Sequence, residues 1–456
     1  MKIYQDLIAV GQSEKERGKF CRDAINEFRS SAEYRIAAAG EAYYAKHNLT
    51  IERYQKFLYT LGGAMKPDLF SANFKLKTGF FRRLVTQQVQ YVLGNGVSMT
   101  KNPENKSKLG RTFDNKLQEA AKRAMASGKA FGFWNYDHME VFGYVDTPQS
   151  AGFCPLYDAE TAELMAGIRY WFRKVGKSYM MRCTLYEVDG YTEYVQKSAK
   201  SDVEVLEPKR GYIRETITTA AGGVESVTDE NYTKLPIVVL YANDTHESEL
   251  VGIRECIDCY DFIKSGLANA IDDWAGFFWI IENAGGMDDP DLAQFIQRMK
   301  TVHAASLEDG TKAEAHTMEV PHEARRVMLE ILRNDIYEDF QALDVKTLSA
   351  AAKTTQEIQS AYQAQDNKCA DFEYNLIEFV EGIMALAGID DEVTFKWQKV
   401  VNMAEQTSVV LQAANYLPPE IIINHLPMLT PEEAEYAIAN YNAQGMAQFM
   451  EPEEEI

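Results

Sequence analysis

The chain has 456 residues, of which 46% are hydrophobic and 25% charged, which is enough for two or three domain-sized globular units. Its 68 acidic residues against 47 basic ones leave a net charge of −21. A protein that grips a nucleic-acid backbone over its surface needs a basic footprint, and this chain as a whole lacks one. The acid excess serves solubility through self-repulsion, or it keeps a polyanion from being held tightly.

Six scattered cysteines, Cys21, Cys154, Cys183, Cys256, Cys259 and Cys369, suit a reducing compartment. Only Cys256 and Cys259 form a C-x-x-C, with no second pair or histidine partner at zinc-site spacing. Packing on one helix face explains them better than redox or metal chemistry. The first twenty residues lack the design of a secretory signal. The longest apolar run, Trp274 to Ile281, is far shorter than the roughly 20 residues a membrane span needs, so no membrane partner is expected.

In chain order, residues 1–60 read as polar helices with aromatic surface. Residues 73–97 carry Phe81, Leu84, Val85, Val89, Val92 and Leu93 at helical spacing, and Gly94-Asn95-Gly96 ends that helix. A second helix is expected over 109–130. From Phe131 to Tyr241 the pattern changes to short aromatic or β-branched runs. Phe131–Trp134, Ile168–Phe172, Tyr179–Tyr186, Tyr191–Val195, Ile213–Thr218 and Ile237–Tyr241 are separated by turns such as Asp189-Gly190, and together they predict an antiparallel β module.

After a break at Asn243-Asp244, apolar residues step by three or four from Leu250 to Trp274. This predicts one helix over 250–281, about 50 Å long at 1.5 Å per residue. Acids outnumber bases eight to two between Glu247 and Glu282. Gly285-Gly286 breaks the helix. A compact insert follows, with a short helix at 291–300 and strands near 301–305 and 315–320, closed by Pro321. A second helix, to about Phe340, makes the whole a stalk with a tip. Residues 341–353 are weakly patterned. A long helix is predicted over 354–387, then a strand over 393–397 and a helical tail with a loose acidic end.

Enzyme chemistry finds no support. Gly176-Lys177-Ser178 lacks the first glycine of a phosphate-binding loop, because Trp171 stands in its place. His246-Glu247 and His322-Glu323 lack the second histidine of a zinc protease, and the acid pairs Asp272-Asp273 and Asp288-Asp289 diverge on a helix. No catalytic residue, metal ligand or cofactor is assigned.

Three stretches taken in order resemble the portal proteins of tailed bacteriophages, of the SPP1 type. They are residues 73–97 with their Gly94-Asn95-Gly96-Val97 end; residues 235–281, from Leu235-Pro236-Ile237 through Asn243 and Glu247-Ser248-Glu249-Leu250 to Asp258, Asp261, Ser265, Asn269 and Trp274; and residues 324–388, like a returning stem helix, tunnel loop and tunnel helix. The loop here is rich in Ala, Lys and Thr where the family often has Gly and Ser.

The resemblance implies an α+β, mainly helical portal-type subunit. Its expected parts are an N-terminal arm and β-containing wing over 1–246, a first stem helix over 247–284, a small α/β clip over 285–321 and a second stem helix over 322–340. The tunnel loop, tunnel helix and return to the wing then span 341–401, and a crown spans 402–456. It also implies a ring homo-oligomer, usually dodecameric, at one capsid vertex of the virion, assembled in the host cytoplasm. Non-specific double-stranded DNA would pass through the channel, and the implied partners are the terminase large subunit, a head–tail adaptor, and capsid and scaffolding proteins. An acidic wall would let the duplex slide, with Asp258, Asp261, Asp272 and Asp273 as wall residues. Lys346, Lys353 and Lys368 would steady the DNA, although ordinary solvated lysines would look the same. The alternative is an acidic helical scaffold or adaptor without a channel.

Overall fold

The computed structural model describes residues 1–59, 64–68, 71–176, 178–218, 224–272, 277–282, 312–317, 322–344 and 355–398, with short pieces between 291 and 298 and between 410 and 441. The chain divides into two units. One comprises Met1–Asp344 with Ala364–Trp397, and the other Val345–Gln363 with Gln398–Ile456.

The larger unit opens with helices α1 (Tyr4–Val10), α2 (Glu14–Ser30), α3 (Ala32–Tyr44) and α4 (Leu49–Arg53). Strands β1 (Phe57–Tyr59) and β2 (Met65–Pro67) form a small antiparallel pair. Then come α5 (Phe80–Leu93), β3 (Val97–Met99), α6 (Asn105–Lys108) and α7 (Phe113–Ser127). Two expectations shift here. Residues 73–79 are not the start of a helix, and the helix expected over 109–130 is α7 alone, Phe113–Ser127, because Gly110 takes a positive φ of 86° before it and Lys129 already belongs to the following strand.

The β module is one eight-stranded sheet. Its strands are β4 (Lys129–Asn135), β5 (His138–Gly143), β6 (Gly152–Tyr157), β7 (Leu164–Val175), β8 (Ser178–Glu187), β9 (Gly190–Gln196) and β10 (Glu204–Arg210). A separate hairpin, β11 (Ile213–Thr218) with β12 (Val224–Glu230), precedes the eighth strand of the sheet, β13 (Ile237–Tyr241). The order is β10-β9-β8-β7-β6-β5-β4-β13, antiparallel except for one parallel bridge between Gly143 and Gly152. All six aromatic or β-branched runs picked out in the sequence are strands. The runs around 138–143, 152–157 and 204–210 carry glycine, proline or charge in place of such a pattern, and only their neighbours make them strands.

Helix α2 covers this sheet. Phe28 is fully buried, edge-on to Tyr34 and Tyr144 at centroid distances of 5.2 and 5.0 Å. The buried pair Arg17 Nη1–Glu187 Oε2, at 2.7 Å, ties α2 to β8. The cysteines Cys21, Cys154 and Cys183 belong to the same core, and all six cysteines are free thiols.

Helix α3 packs on α7. There Glu41 is pushed up to about 7 by burial, which the charge of Arg123 only partly opposes, and one of its carboxylate oxygens has no partner. The folded chain therefore binds this proton more tightly than the unfolded chain, whose carboxyl titrates at the ordinary 4.5. Folding stability from this group is complete below that value and is lost as the pH rises to about 7. We expect a Glu41→Gln variant to melt nearer to wild type at pH 5 and above it at pH 8. A parallel shift at both pH values would sink the assignment.

Beyond the sheet come α8 (Arg254–Asp272), the antiparallel strands β14 (Phe277–Glu282) and β15 (Lys312–Thr317), α9 (His322–Asp339), α10 (Thr355–Leu386) and β16 (Val393–Phe395), which pairs with β3. The single helix expected over 250–281 is thus corrected. The helix has 19 residues, about 28 Å at 1.5 Å per residue, and starts after a turn at 248–253. Phe277–Glu282 is a strand because its aromatic and β-branched side chains suit a pleated surface and Lys312–Thr317 supplies the hydrogen-bonding partner. The expected strand near 301–305 and most of the helix at 291–300 lie outside the described residues. The tail holds α11 (Pro419–Asn424) and further short helical pieces.

Candidate assembly and channel-lining elements

Helix α8 organises the region that the sequence singled out. Its buried stripe reads Ile257, Asp261, Ser265 and Asn269, each four residues from the last. The apolar start holds it to the protein, and the polar remainder is buried against the extended segment 73–79. Asp261 Oδ1 accepts the backbone N–H of Thr78 (2.9 Å), Ser265 Oγ that of Leu76 (3.0 Å) and Asn269 Oδ1 that of Phe74 (2.6 Å). The spacing has a simple cause. Four residues of helix rise about 6.0 Å, and two residues of extended chain advance about 6.6 Å, so every second amide meets every fourth side chain. The segment is paired to helix side chains, where a strand would ordinarily be paired to another strand.

Asp261 is also reached from α4. Asn48 caps that helix, its Oδ1 accepting from the amides of Thr50 and Ile51, while its Nδ2 donates to Asp261 Oδ2 at 2.9 Å. One turn earlier, Asp258 accepts from Thr50 Oγ1 (2.7 Å) and from the Tyr43 hydroxyl. Burial raises the Asp261 carboxyl above its ordinary value, against the hydrogen bonds that favour its ionised form. The expectation that Asp258 and Asp261 line an acidic wall is therefore corrected. Asp261 is 0% exposed, and both carboxylates are engaged within the subunit. Asp272 is the last residue of α8 and Asp273 lies outside the described residues, so the structure places neither side chain.

Lys368 on α10 is likewise not a solvated lysine. Its Nζ sits 2.5 Å from Glu249 Oε2, donates to the Phe340 carbonyl at 2.9 Å and lies 3.7 Å from the Phe340 ring centroid. Glu249 in turn accepts from Asn243 Nδ2 at 2.8 Å, and its amide donates to the Met125 carbonyl. This charge fastens α10 to the turn before α8 and is not presented to a ligand. No local pattern signals it, because Lys368 and Glu249 are 119 residues apart. Lys346 and Lys353 lie outside the described residues.

Helices α8 and α9 pack together, with Phe80 from α5 edge-on to Tyr260 and Tyr337. Cys256 and Cys259 are half-buried on α8. Burial raises the Cys256 thiol first, and the carboxylates of Asp339 and Asp335 add to the effect. The first half of α9 is exposed on nearly every side, including Val327, Met328 and Ile331. Among the described residues no group of three His, Cys, Asp or Glu side chains could hold a metal ion.

A family model for phage portal proteins, SPP1 Gp6-like, matches residues 30–444. The chain belongs to that family. It is 26% identical over 398 residues to the portal protein of Clostridium phage phiCD119, across 80% of this chain and 84% of that one. It is also 23% identical over 315 residues to the portal protein of Bacillus phage SPP1, across 67% of this chain and 60% of that one. A chain from the neck of an empty GTA particle aligns over 77% of this chain and 90% of its own, at 11% identity and a TM-score of 0.41. The protein is thus a phage portal protein, a structural and non-enzymatic part of the virion. Portal membership is consistent with a chain whose distinctive chemistry is spent on holding its own elements together.

Proposed function

We propose that the subunit forms a homo-oligomeric ring, dodecameric as the family resemblance implies, through which double-stranded DNA enters and leaves the capsid. The observation that carries this reading is the order α8-β14-β15-α9, two packed helices joined through an antiparallel strand pair, within a chain matched by the portal family over residues 30–444. A packed pair of helices, with the first half of α9 exposed, suits a repeated wall element, and the segment between them suits a docking tip. That tip would receive the terminase large subunit during packaging and a head–tail adaptor afterwards, with capsid and scaffolding proteins around the ring.

Asp272 and Asp273 remain candidates for a wall that repels phosphate, and Lys346 and Lys353 for charges that steady the duplex. Class-averaged negative-stain images of the purified protein should contain rings with a central hole. A monomer, or a small oligomer without a hole at every concentration, would overturn the reading in favour of an acidic scaffold.

The lysine assignment has its own test. A Lys346→Ala/Lys353→Ala double variant should assemble normally and retain several-fold less DNA per particle, measured by nuclease-protected DNA. Normal packaging and retention would refute it.

A further inference from the structure

Although the chain carries 21 more negative than positive charges, residues 46–83 hold eight basic residues against two acidic. Three of those basic residues, Lys46, Arg82 and Arg83, are exposed and enter no ion pair among the described residues. They line one groove of about 620 Å³, together with Gly79, Thr86 and Gln90. Lys46 lies directly over Gly79, where a Cβ would come within 2.8 Å of its Cε. Arg83 stacks on the Phe80 ring at 4.8 Å and reaches toward Tyr337 of α9. The basic groove therefore adjoins the side of the α8–α9 pair that carries Tyr260, Tyr337 and the exposed Lys264.

The other side of that pair is acidic. On α9, residues two apart point in nearly opposite directions. Tyr337 and Arg333 share the basic side, and Asp335 and Asp339, also four apart, face away from it across the buried Leu332 and Ile336. On α8, Glu255 shares a face with Cys259 and Phe262, whereas Tyr260, Lys264 and Ile271 share another. The thiol of Cys256 feels Asp339, Asp335 and Glu255 together, which places the three carboxylates in one neighbourhood. None of the three enters an ion pair among the described residues. Each side also exposes a large apolar group, Phe262 at 49% on the acidic side and Ile271 at 73% on the basic one.

From this geometry we infer that a second copy of the chain covers the groove: the basic side of one subunit, Lys46, Arg82 and Arg83, packs against the acidic side of the next, Glu255, Asp335 and Asp339. The two patches differ, so the contact is head-to-tail and repeats from copy to copy, as closure into a ring demands. The exposed Phe262 and Ile271 supply apolar area that a contact with DNA phosphates would not need. This inference rests on the proposed ring and assigns the surfaces that close it.

The test uses two charge-reversed full-length chains, each changed only at exposed positions: Arg82→Glu/Arg83→Glu, which has acid on both sides, and Glu255→Lys/Asp339→Lys, which has base on both sides. Folding is checked by circular dichroism, and mass is read by analytical ultracentrifugation. Each alone should remain subunit-sized under conditions where the wild type assembles. An equimolar mixture, and the chain carrying all four changes, should regain the wild-type mass. Assembly of either variant alone at the wild-type mass would overturn the inference, as would a mixture of folded variants that stays dispersed. A variant changed at Arg82 and Arg83 that forms full rings but loses DNA would assign the groove to phosphate and reject the neighbour. If the wild type itself forms no ring, the portal-ring reading fails first, and that outcome is distinguishable from the others.

Discussion

Replacing Lys368 by methionine should destabilise the subunit by about 3 kcal/mol, at the low end of what removing one partner of a buried ion pair costs. The Glu249 carboxylate is only 11% exposed and would keep one neutral donor, Asn243 Nδ2, in place of an ammonium 2.5 Å away. The Phe340 carbonyl would lose its donor at the same time. A double change, Glu249→Gln with Lys368→Met, should recover much of the loss, because it removes the stranded charge together with its partner. Thermal melts of the three variants measure this directly. A change of less than about 0.5 kcal/mol in the single variant, the range of an ordinary surface substitution, would show that the pair is dispensable. The experiment also separates two roles for Lys368: a clamp fails in folding, whereas a channel lysine would fail only when DNA is present.

An Asp261→Ala change should cost about 2–5 kcal/mol, since two donors, the half-buried Thr78 amide and the buried Asn48 Nδ2, each lose an acceptor at a penalty of roughly 1–3 kcal/mol. The damage should be local before it is global. Amide exchange at Phe74, Leu76 and Thr78 should speed up together, because the three bonds share one helix and one segment. Ser265→Ala should loosen the same amides less, having removed one acceptor. Unchanged protection over 74–78 in the Asp261 variant would disprove the ladder as the segment's anchor.

These side chains mark where sequence reasoning succeeds and where it stops. The strand at Ile237–Tyr241, the helices ending at Leu93 and Leu386, and the returning helix His322–Asp339 were legible because period and turn residues agree with local structure. The end of α8 was not. Phe277–Glu282 extends a run of apolar residues, and periodicity cannot tell a buried strand from a buried helix without knowing the partner at 312–317. The acids of α8 mislead for a related reason. Charge counts treat every Asp as surface, yet Asp261 continues the stripe begun by Ile253 and Ile257 at four-residue steps. That register was visible in the sequence. The amides of residues 74–78, which give it meaning, lie nearly 190 residues earlier. The Lys368–Glu249 pair likewise needs a tertiary contact that no local pattern encodes.

The ladder between α8 and residues 74–78 grips the segment by its peptide groups alone. Such a grip does not depend on what the segment's side chains are, provided that no proline removes an amide at position 74, 76 or 78. Phe74 and Leu76 point outward at 49% and 37% exposure. A substitution of Phe74 or Leu76 therefore leaves the three ladder bonds in place, whereas Lys75 and Lys77, whose side chains donate to Glu52 at 2.6 Å, are the positions where the segment's attachment does depend on its side chains.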